Sequence, residues 1–162
     1  MNLSTRYLLV LNKIRDDITG GSIWRYMLTD IVYDLKIAFP KYSWVGIYLI
    51  ENDVLALETF LGKSTEHTKI KLDKGICGAS ASSGETVIVG NVTEEERYIS
   101  CDINVKSEIV IPIKKNNNII GVLDIDSDKK KAFTNEDKEF LEEIARLIGN
   151  SFPTIIKNEN KE

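Results

Sequence analysis

The two cysteines are the most reactive side chains in this sequence. Cys77 lies in Gly75-Ile-Cys-Gly78, at the predicted start of a short helix, and Cys101 lies in a long polar segment, within Ile99-Ser-Cys-Asp102. A thiol near a helix N-terminus can have a lowered pKa, because the amide dipoles stabilise the thiolate. An isolated cysteine is more often structural than reactive. Cys101 falls outside any apolar core stripe, which favours a chemical role, whereas the charge of Asp102 would oppose thiolate formation there.

Carboxylates form the second group of candidate residues. Asp124 and Asp126 end an apolar strand, Leu123-Asp-Ile-Asp-Ser127, and side chains alternate along a strand, so both point to one face. If the neighbouring hairpin strand pairs with this one, Glu108 can lie on the same face. Three carboxylates on one sheet face are destabilising without a cation. The residues therefore leave two interpretations open, a solvated face or a binding site for a ligand with an ammonium group.

Aromatic residues offer a wall for such a ligand. Trp44 and Tyr48 are four residues apart on one predicted strand and share a face, either as core residues or as a surface for a small ligand's methyl group. The single histidine, His67, is more typical of a surface residue than of a ligand or base. The sequence has no metal-ligand spacing and no phosphate-binding glycine motif. We therefore expect no metal and no bound cofactor.

The composition limits the class of partner. The chain has 162 residues, a formal net charge of −4 and a pI of about 5.2. This acidic balance argues against nucleic acid and anionic membranes as partners, since both require a concentrated basic surface. No window approaches the roughly 18 apolar residues of a membrane span, and the N-terminus lacks a signal-peptide pattern. We expect one domain over residues 1–162, in the cytoplasm, where thiols stay reduced.

Periodicity predicts the elements that position these residues. Apolar spacing indicates helices over residues 3–15, 23–39, 75–84 and 134–152, and strands over residues 43–51, 54–61, 69–72, 86–89, 108–114 and 119–126. Asn52-Asp53 and Asn116-Asn117-Asn118 are predicted hairpin turns. This order favours an α+β fold with a single, mostly antiparallel central sheet, helices on one face and loops covering the other.

Five segments together resemble a known family. The segments are Trp44-Val-Gly-Ile-Tyr48, Gly75-Ile-Cys-Gly78, Ile99-Ser-Cys-Asp102, Ser107-Glu-Ile-Val-Ile-Pro112 and Gly121-Val-Leu-Asp-Ile-Asp-Ser127. Their combination, over roughly residues 30–150, is similar to the free methionine-(R)-sulfoxide reductases, which are GAF-domain enzymes. The Gly-Val-Leu-Asp piece is common among GAF domains, whereas the pairing of Gly-Ile-Cys-Gly with Ser-Cys-Asp is specific to the reductases.

The resemblance implies roles for these residues. Cys101 would be the attacking thiol, which becomes a sulfenic acid, and Cys77 the resolving thiol, which forms a disulfide with it for reduction by thioredoxin. The substrate-binding residues would be Trp44, Tyr48, Glu108, Asp124 and Asp126. Glu108 or Asp126 would protonate the sulfoxide oxygen. The resemblance also suggests a homodimer. One departure is that His67 replaces a further cysteine of the family, which changes the thiols available for recycling.

Two other functions are compatible with the same residues. A non-catalytic GAF domain would hold a small ligand as a sensor, and a redox switch would pair Cys77 with Cys101 without turnover. Sensor GAF domains usually accompany a kinase, cyclase or DNA-binding partner, and 162 residues leave no room for one. The reductase is therefore our working hypothesis.

Overall fold

An antiparallel sheet of six strands organises the fold. The computed structural model describes residues 3–99 and 102–153. The strands are β1 (Trp44–Glu51), β2 (Val54–Leu61), β3 (Lys69–Lys71), β4 (Val87–Val89), β5 (Ser107–Lys115) and β6 (Asn118–Ser127). They follow the order β3-β2-β1-β6-β5-β4, and every neighbouring pair is antiparallel. The helices are α1 (Thr5–Thr19), α2 (Trp24–Ala38), α3 (Gly75–Ser83) and α4 (Asn135–Ser151).

Two hairpins with short Asn/Asp turns build the centre of the sheet. Asn52 and Asp53 connect β1 to β2 with φ angles of 49° and 62°, and Asn116 and Asn117 connect β5 to β6 with φ angles of 49° and 65°. Positive φ at both central residues matches the right-handed twist of the flanking strands, and Asn and Asp tolerate that region. Both predicted turns are confirmed, and they set the register of the strands that carry the candidate residues.

The two faces of the sheet have different covers. Alternate residues of β1, β5 and β6 pack with α1, α2 and α4 into the larger core, whose sheet residues are Val45, Ile47, Leu49, Ile109, Ile111, Ile113, Leu123 and Ile125. The strand residues that point to the other face, including Trp44, Tyr48 and Val122, pack with α3 in a smaller cluster. The predicted α+β fold is confirmed, with one refinement: the short helix α3 joins the loops on the second face. In the described chain, no helix combines the length and apolar character needed to cross a membrane.

A buried carboxylate connects three elements of the larger core. Asp137 forms a capping box with Thr134 at the start of α4. Its carboxylate also accepts hydrogen bonds from Tyr7 Oη (2.8 Å), Tyr42 Oη (2.6 Å) and Lys41 Nζ (2.6 Å). Burial acts to raise the pKa of Asp137, but these hydrogen bonds hold it below its usual value. The network fixes the chain immediately before β1, and therefore the position from which β1 starts.

Helix α4 approaches β5 most closely at a glycine, and this contact generates a prediction. A Cβ at Gly149 would overlap the carbonyl oxygen of Lys114, whereas a Cβ at Gly20, the C-cap of α1, would meet its nearest atoms at 3.4 Å. We expect Gly149→Ala to destabilise the protein by about 1–3 kcal/mol, because the helix must move off the strand. Thermal unfolding checks this, with Gly20→Ala as the control. Equal melting temperatures for the two variants would contradict the close contact.

Candidate active site

A cavity opens on the second face of the sheet, between the ends of β1 and β6 and two loops. Its volume is about 280 Å³, and its floor includes Trp44, Tyr48, Asp124 and Asp126. Residues 63–65 form one rim, and residues 102–105 form part of the other. Four of the predicted substrate-binding residues therefore line one cavity.

Strand register assembles the carboxylates. Asp126 pairs with Trp44 of β1 on one side and with Glu108 of β5 on the other, and Asp124 pairs with Gly46 of β1. The sequence placed Glu108 on the same face as Asp124 and Asp126 only if the two hairpin strands pair, and β5 and β6 do pair. All three acids are buried, with only 5% of Glu108 and 7% of Asp124 and Asp126 exposed. Asp124 and Asp126 line the cavity, whereas Glu108 is absent from its lining.

The two aromatic residues fasten one rim to the floor. Trp44 donates from Nε1 to the carbonyl oxygen of Lys63 (3.1 Å), and Tyr48 donates from Oη to the carbonyl oxygen of His67 (3.0 Å). Their ring centroids are 6.4 Å apart. A Cβ at Gly46 would overlap the Trp44 indole, so the absence of a side chain there lets the ring lie across the strand. The expected shared face of the aromatics is present, and it forms an apolar wall beside the acids.

Cys77 lies against the acids, behind the cavity. Helix α3 buries it, and its thiol Sγ donates to Asp124 Oδ2 at 3.3 Å. Burial raises the pKa of the Cys77 thiol well above its usual value, and the charges of Asp124 and Glu108 raise it further. The lowered pKa that a position near a helix N-terminus suggests is therefore wrong for Cys77. Desolvation and nearby carboxylates outweigh the amide dipoles, so the resting residue is a protonated thiol.

Cys101 lies outside the described residues, so its predicted position over the cavity stays a prediction. Its neighbour Asp102 lines the cavity and forms an ion pair with Lys63 (Oδ2 to Nζ, 3.0 Å). Hydrogen bonds from the backbone of Asn104 and from Lys63 lower the pKa of Asp102. Lys63 offsets part of the negative charge that would oppose a thiolate at position 101. The sequence did not predict a role for Lys63, because it is far from Asp102 along the chain and only the folded loops bring the two together.

The three acids retain protons to different degrees. Burial raises the pKa of Glu108 and of Asp126 well above their usual values, and the charge of Asp124 raises both further. Burial also raises the pKa of Asp124, to about 6, but hydrogen bonds with Cys77 and Glu108 limit this increase. Asp124 is therefore the first of the three to ionise. Among the described residues, no Lys, Arg or His forms an ion pair with any of them.

Comparisons with known proteins identify the family. Residues 27–152 match the GAF domain family. The structure of free methionine-R-sulfoxide reductase from Neisseria meningitidis in complex with its substrate superposes with a TM-score of 0.87 at 33% identity, over 94% of this chain and 92% of that one. The chain belongs to the GAF family, among the free methionine-R-sulfoxide reductases.

Other reductases of the family agree with this assignment. The reduced form of fRMsr from Staphylococcus aureus gives a TM-score of 0.86 at 35% identity, over 94% of this chain and all (100%) of that one. The free methionine-R-sulfoxide reductase of Saccharomyces cerevisiae is 42% identical over 113 residues, which are 67% of this chain and 62% of the yeast protein. The chain thus matches somewhat less than two thirds of the yeast enzyme's length.

The buried acids generate a prediction about stability and pH. A carboxyl group whose pKa is higher in the folded than in the unfolded state contributes most below its unfolded pKa, about 4, and its contribution falls as pH rises towards the folded pKa. For Asp124 this loss of stability extends from about pH 4 to about pH 6, its pKa in the folded protein. For Glu108 the loss extends to higher pH, since its pKa is raised well above the usual value. We expect Glu108→Gln to raise the melting temperature of the unliganded protein, and to do so more at pH 8 than at pH 5.

Thermal unfolding at the two pH values checks this expectation. Glu139→Gln is the matched control, because Glu139 is exposed on α4 and lies in a different element from the acids. Its melting temperature is expected to follow that of the original protein at both pH values. A gain for Glu108→Gln that is no larger at pH 8 would contradict the raised pKa of Glu108.

Proposed function

We propose that this protein reduces free methionine (R)-sulfoxide to methionine, with Cys101 as the attacking thiol. The observation that carries the proposal is the row of buried acids beside an aromatic wall in a cavity of about 280 Å³. A cation stabilises such a row once the acids ionise, and the ammonium group of a free amino acid supplies one. The relatives named for this activity, one of them solved in complex with its substrate, support the same substrate.

Substrate recognition divides between an acid and the aromatic residues beside it. Asp124, whose pKa is the least raised, binds the ammonium group, since it lines the cavity. Trp44 and Tyr48 contact the methyl group. A methionine sulfoxide inside a polypeptide has no ammonium group at this position. The site therefore selects the free amino acid, because the buried acids would otherwise stay without a counterion.

The first chemical step transfers oxygen from the substrate to Cys101. The Cys101 thiolate attacks the sulfoxide sulfur, the oxygen takes up a proton, and methionine leaves as Cys101 becomes a sulfenic acid. Glu108 and Asp126 both have raised pKa values and are candidates for the proton donor. We favour Asp126, because it lines the cavity and Glu108 does not.

The second step regenerates the thiol. Cys77 transfers its proton to Asp124 Oδ2, which lies 3.3 Å from Sγ, and attacks the Cys101 sulfur. A Cys77–Cys101 disulfide forms and water leaves. A thioredoxin-type dithiol, the external reductant, then restores both thiols by exchange, so that no bound cofactor is needed. Because His67 replaces the family's further cysteine, this route uses only two thiols of the chain.

Turnover of the two cysteine variants tests the mechanism. In an assay that couples NADPH oxidation through thioredoxin reductase and thioredoxin to free methionine (R)-sulfoxide, we expect Cys101→Ser to fall to background, because it lacks the nucleophile. We expect Cys77→Ser to lose thioredoxin-supported turnover but still to release one methionine per chain. Ser100→Ala is the control, since it changes a neighbouring side chain and leaves both thiols in place.

Three results would contradict this mechanism. Undiminished turnover of Cys101→Ser would exclude its role as the nucleophile. Undiminished turnover of Cys77→Ser with thioredoxin would show that Cys101 is reduced directly. Equal activity on a peptide containing methionine sulfoxide would contradict recognition of the ammonium group.

We also infer that the protein is a cytoplasmic homodimer, with α2 as the contact. Tyr26, Tyr33 and Ile37 occupy one side of α2, and their exposed fractions are 67%, 57% and 61%. Apolar surface of this kind is typical of an interface. We expect Tyr33→Glu to shift the protein from dimer to monomer in sedimentation velocity. Ile88→Glu, on β4, is the control and is expected to leave the dimer intact. A wild-type monomer, or a dimer in Tyr33→Glu, would contradict the inferred interface.

A further inference from the structure

Three possible metal ligands meet behind the cavity. Cys77 from α3, Glu108 from β5 and Asp124 from β6 each place one ligand atom, the thiol sulfur or a carboxylate oxygen, within 4.8 Å of the other two. All three residues are buried. Only Asp124 also lines the cavity, so the cluster lies deeper than the surface assigned to the substrate. The sequence shows no ligand spacing of this kind, because the residues come from separate elements.

Unsatisfied oxygens indicate that this cluster binds a cation. Glu108 Oε2 and Asp124 Oδ1 are buried and have no hydrogen-bond partner among the described residues. A buried carboxylate oxygen without a donor is unfavourable, because it has lost its water and gained nothing in return. No basic side chain in residues 3–99 and 102–153 forms an ion pair with Glu108 or Asp124. A cation bound between these residues would supply the positive charge that both carboxylates lack.

The ligand types and spacing select the class of cation. In a tetrahedral zinc site, bonds of about 2.3 Å to sulfur and about 2.0 Å to oxygen place those two ligands about 3.5 Å apart. Cys77 Sγ and Asp124 Oδ2 are 3.3 Å apart. A thiolate ligand favours zinc over magnesium or calcium, which prefer oxygen alone. Three protein ligands leave a fourth position for water from the cavity.

We propose that Cys77, Glu108 and Asp124 form a binding site for a thiophilic divalent cation of the zinc class. Binding replaces the proton on the Cys77 thiol with a metal–sulfur bond, and this proton passes to the buffer with any that Glu108 and Asp124 retain. Where the proposed reductase cycle holds, a metal-bound Cys77 cannot resolve the sulfenic acid. The site would then make the enzyme sensitive to zinc.

Cobalt(II) is the probe, because its thiolate and tetrahedral complexes are coloured and their detection needs no turnover. We expect the reduced full-length protein to develop a thiolate-to-cobalt charge-transfer band on titration, and zinc to abolish it by displacement. Cys77→Ser should lack the band. Glu108→Gln should bind cobalt at least about tenfold more weakly, since loss of a ligand costs no less than loss of an outer-shell partner. Cys101→Ser is the matched control and should keep the band.

Four results would overturn the site. These are no band in the original protein, a band that persists in Cys77→Ser, a band that disappears in Cys101→Ser, and unchanged cobalt affinity in Glu108→Gln. Circular dichroism of each variant checks that it is folded. Glu108→Gln retains both thiols, so its affinity decides the question even where Cys77→Ser fails to fold.

Discussion

The structure depends on one electrostatic constraint, three carboxyl groups buried together without a matching positive side chain among the described residues. Antiparallel register produces this arrangement, since it aligns Glu108 of β5 with Asp126 of β6 and places Asp124 on the same face. Burial opposes the charge of each group, and each charge opposes the others. The site is consequently prepared for a cation that the described residues do not supply. A free amino acid with its ammonium group meets this requirement from the cavity.

The same constraint controls the buried thiol. Asp124 accepts the hydrogen bond of Cys77, and the acids raise the pKa of that thiol. A cysteine that remained a thiolate would be open to unwanted oxidation, whereas a protonated one is unreactive until its proton is removed. Asp124, with a pKa of about 6, is ionised at neutral pH and is in contact to take it. The arrangement therefore couples the reactivity of Cys77 to the charge of the acid cluster.

Local sequence patterns predicted the turns and strand faces better than they predicted which residues lie behind the cavity. The Asn-containing turns and the shared face of Asp124 and Asp126 depend on neighbouring residues, and all are present. Other features depend on how separate elements pack. These are the position of Glu108 and Cys77 behind the cavity and the Lys63–Asp102 ion pair. The helix-dipole argument for Cys77 was wrong for the same reason. Its pKa is set by burial and by acids that are far away in the sequence but close in the fold.

Two buried aspartates differ in how completely their carboxylates are hydrogen-bonded. Asp137 receives hydrogen bonds from two tyrosines and a lysine, and its pKa is lowered. Asp124 has hydrogen bonds with Cys77 and Glu108, but its Oδ1 has no partner among the described residues, and its pKa is raised. Burial alone therefore does not distinguish them. A carboxylate whose partners are complete stabilises the fold, whereas one whose partners are incomplete costs stability that protonation or a bound cation can restore.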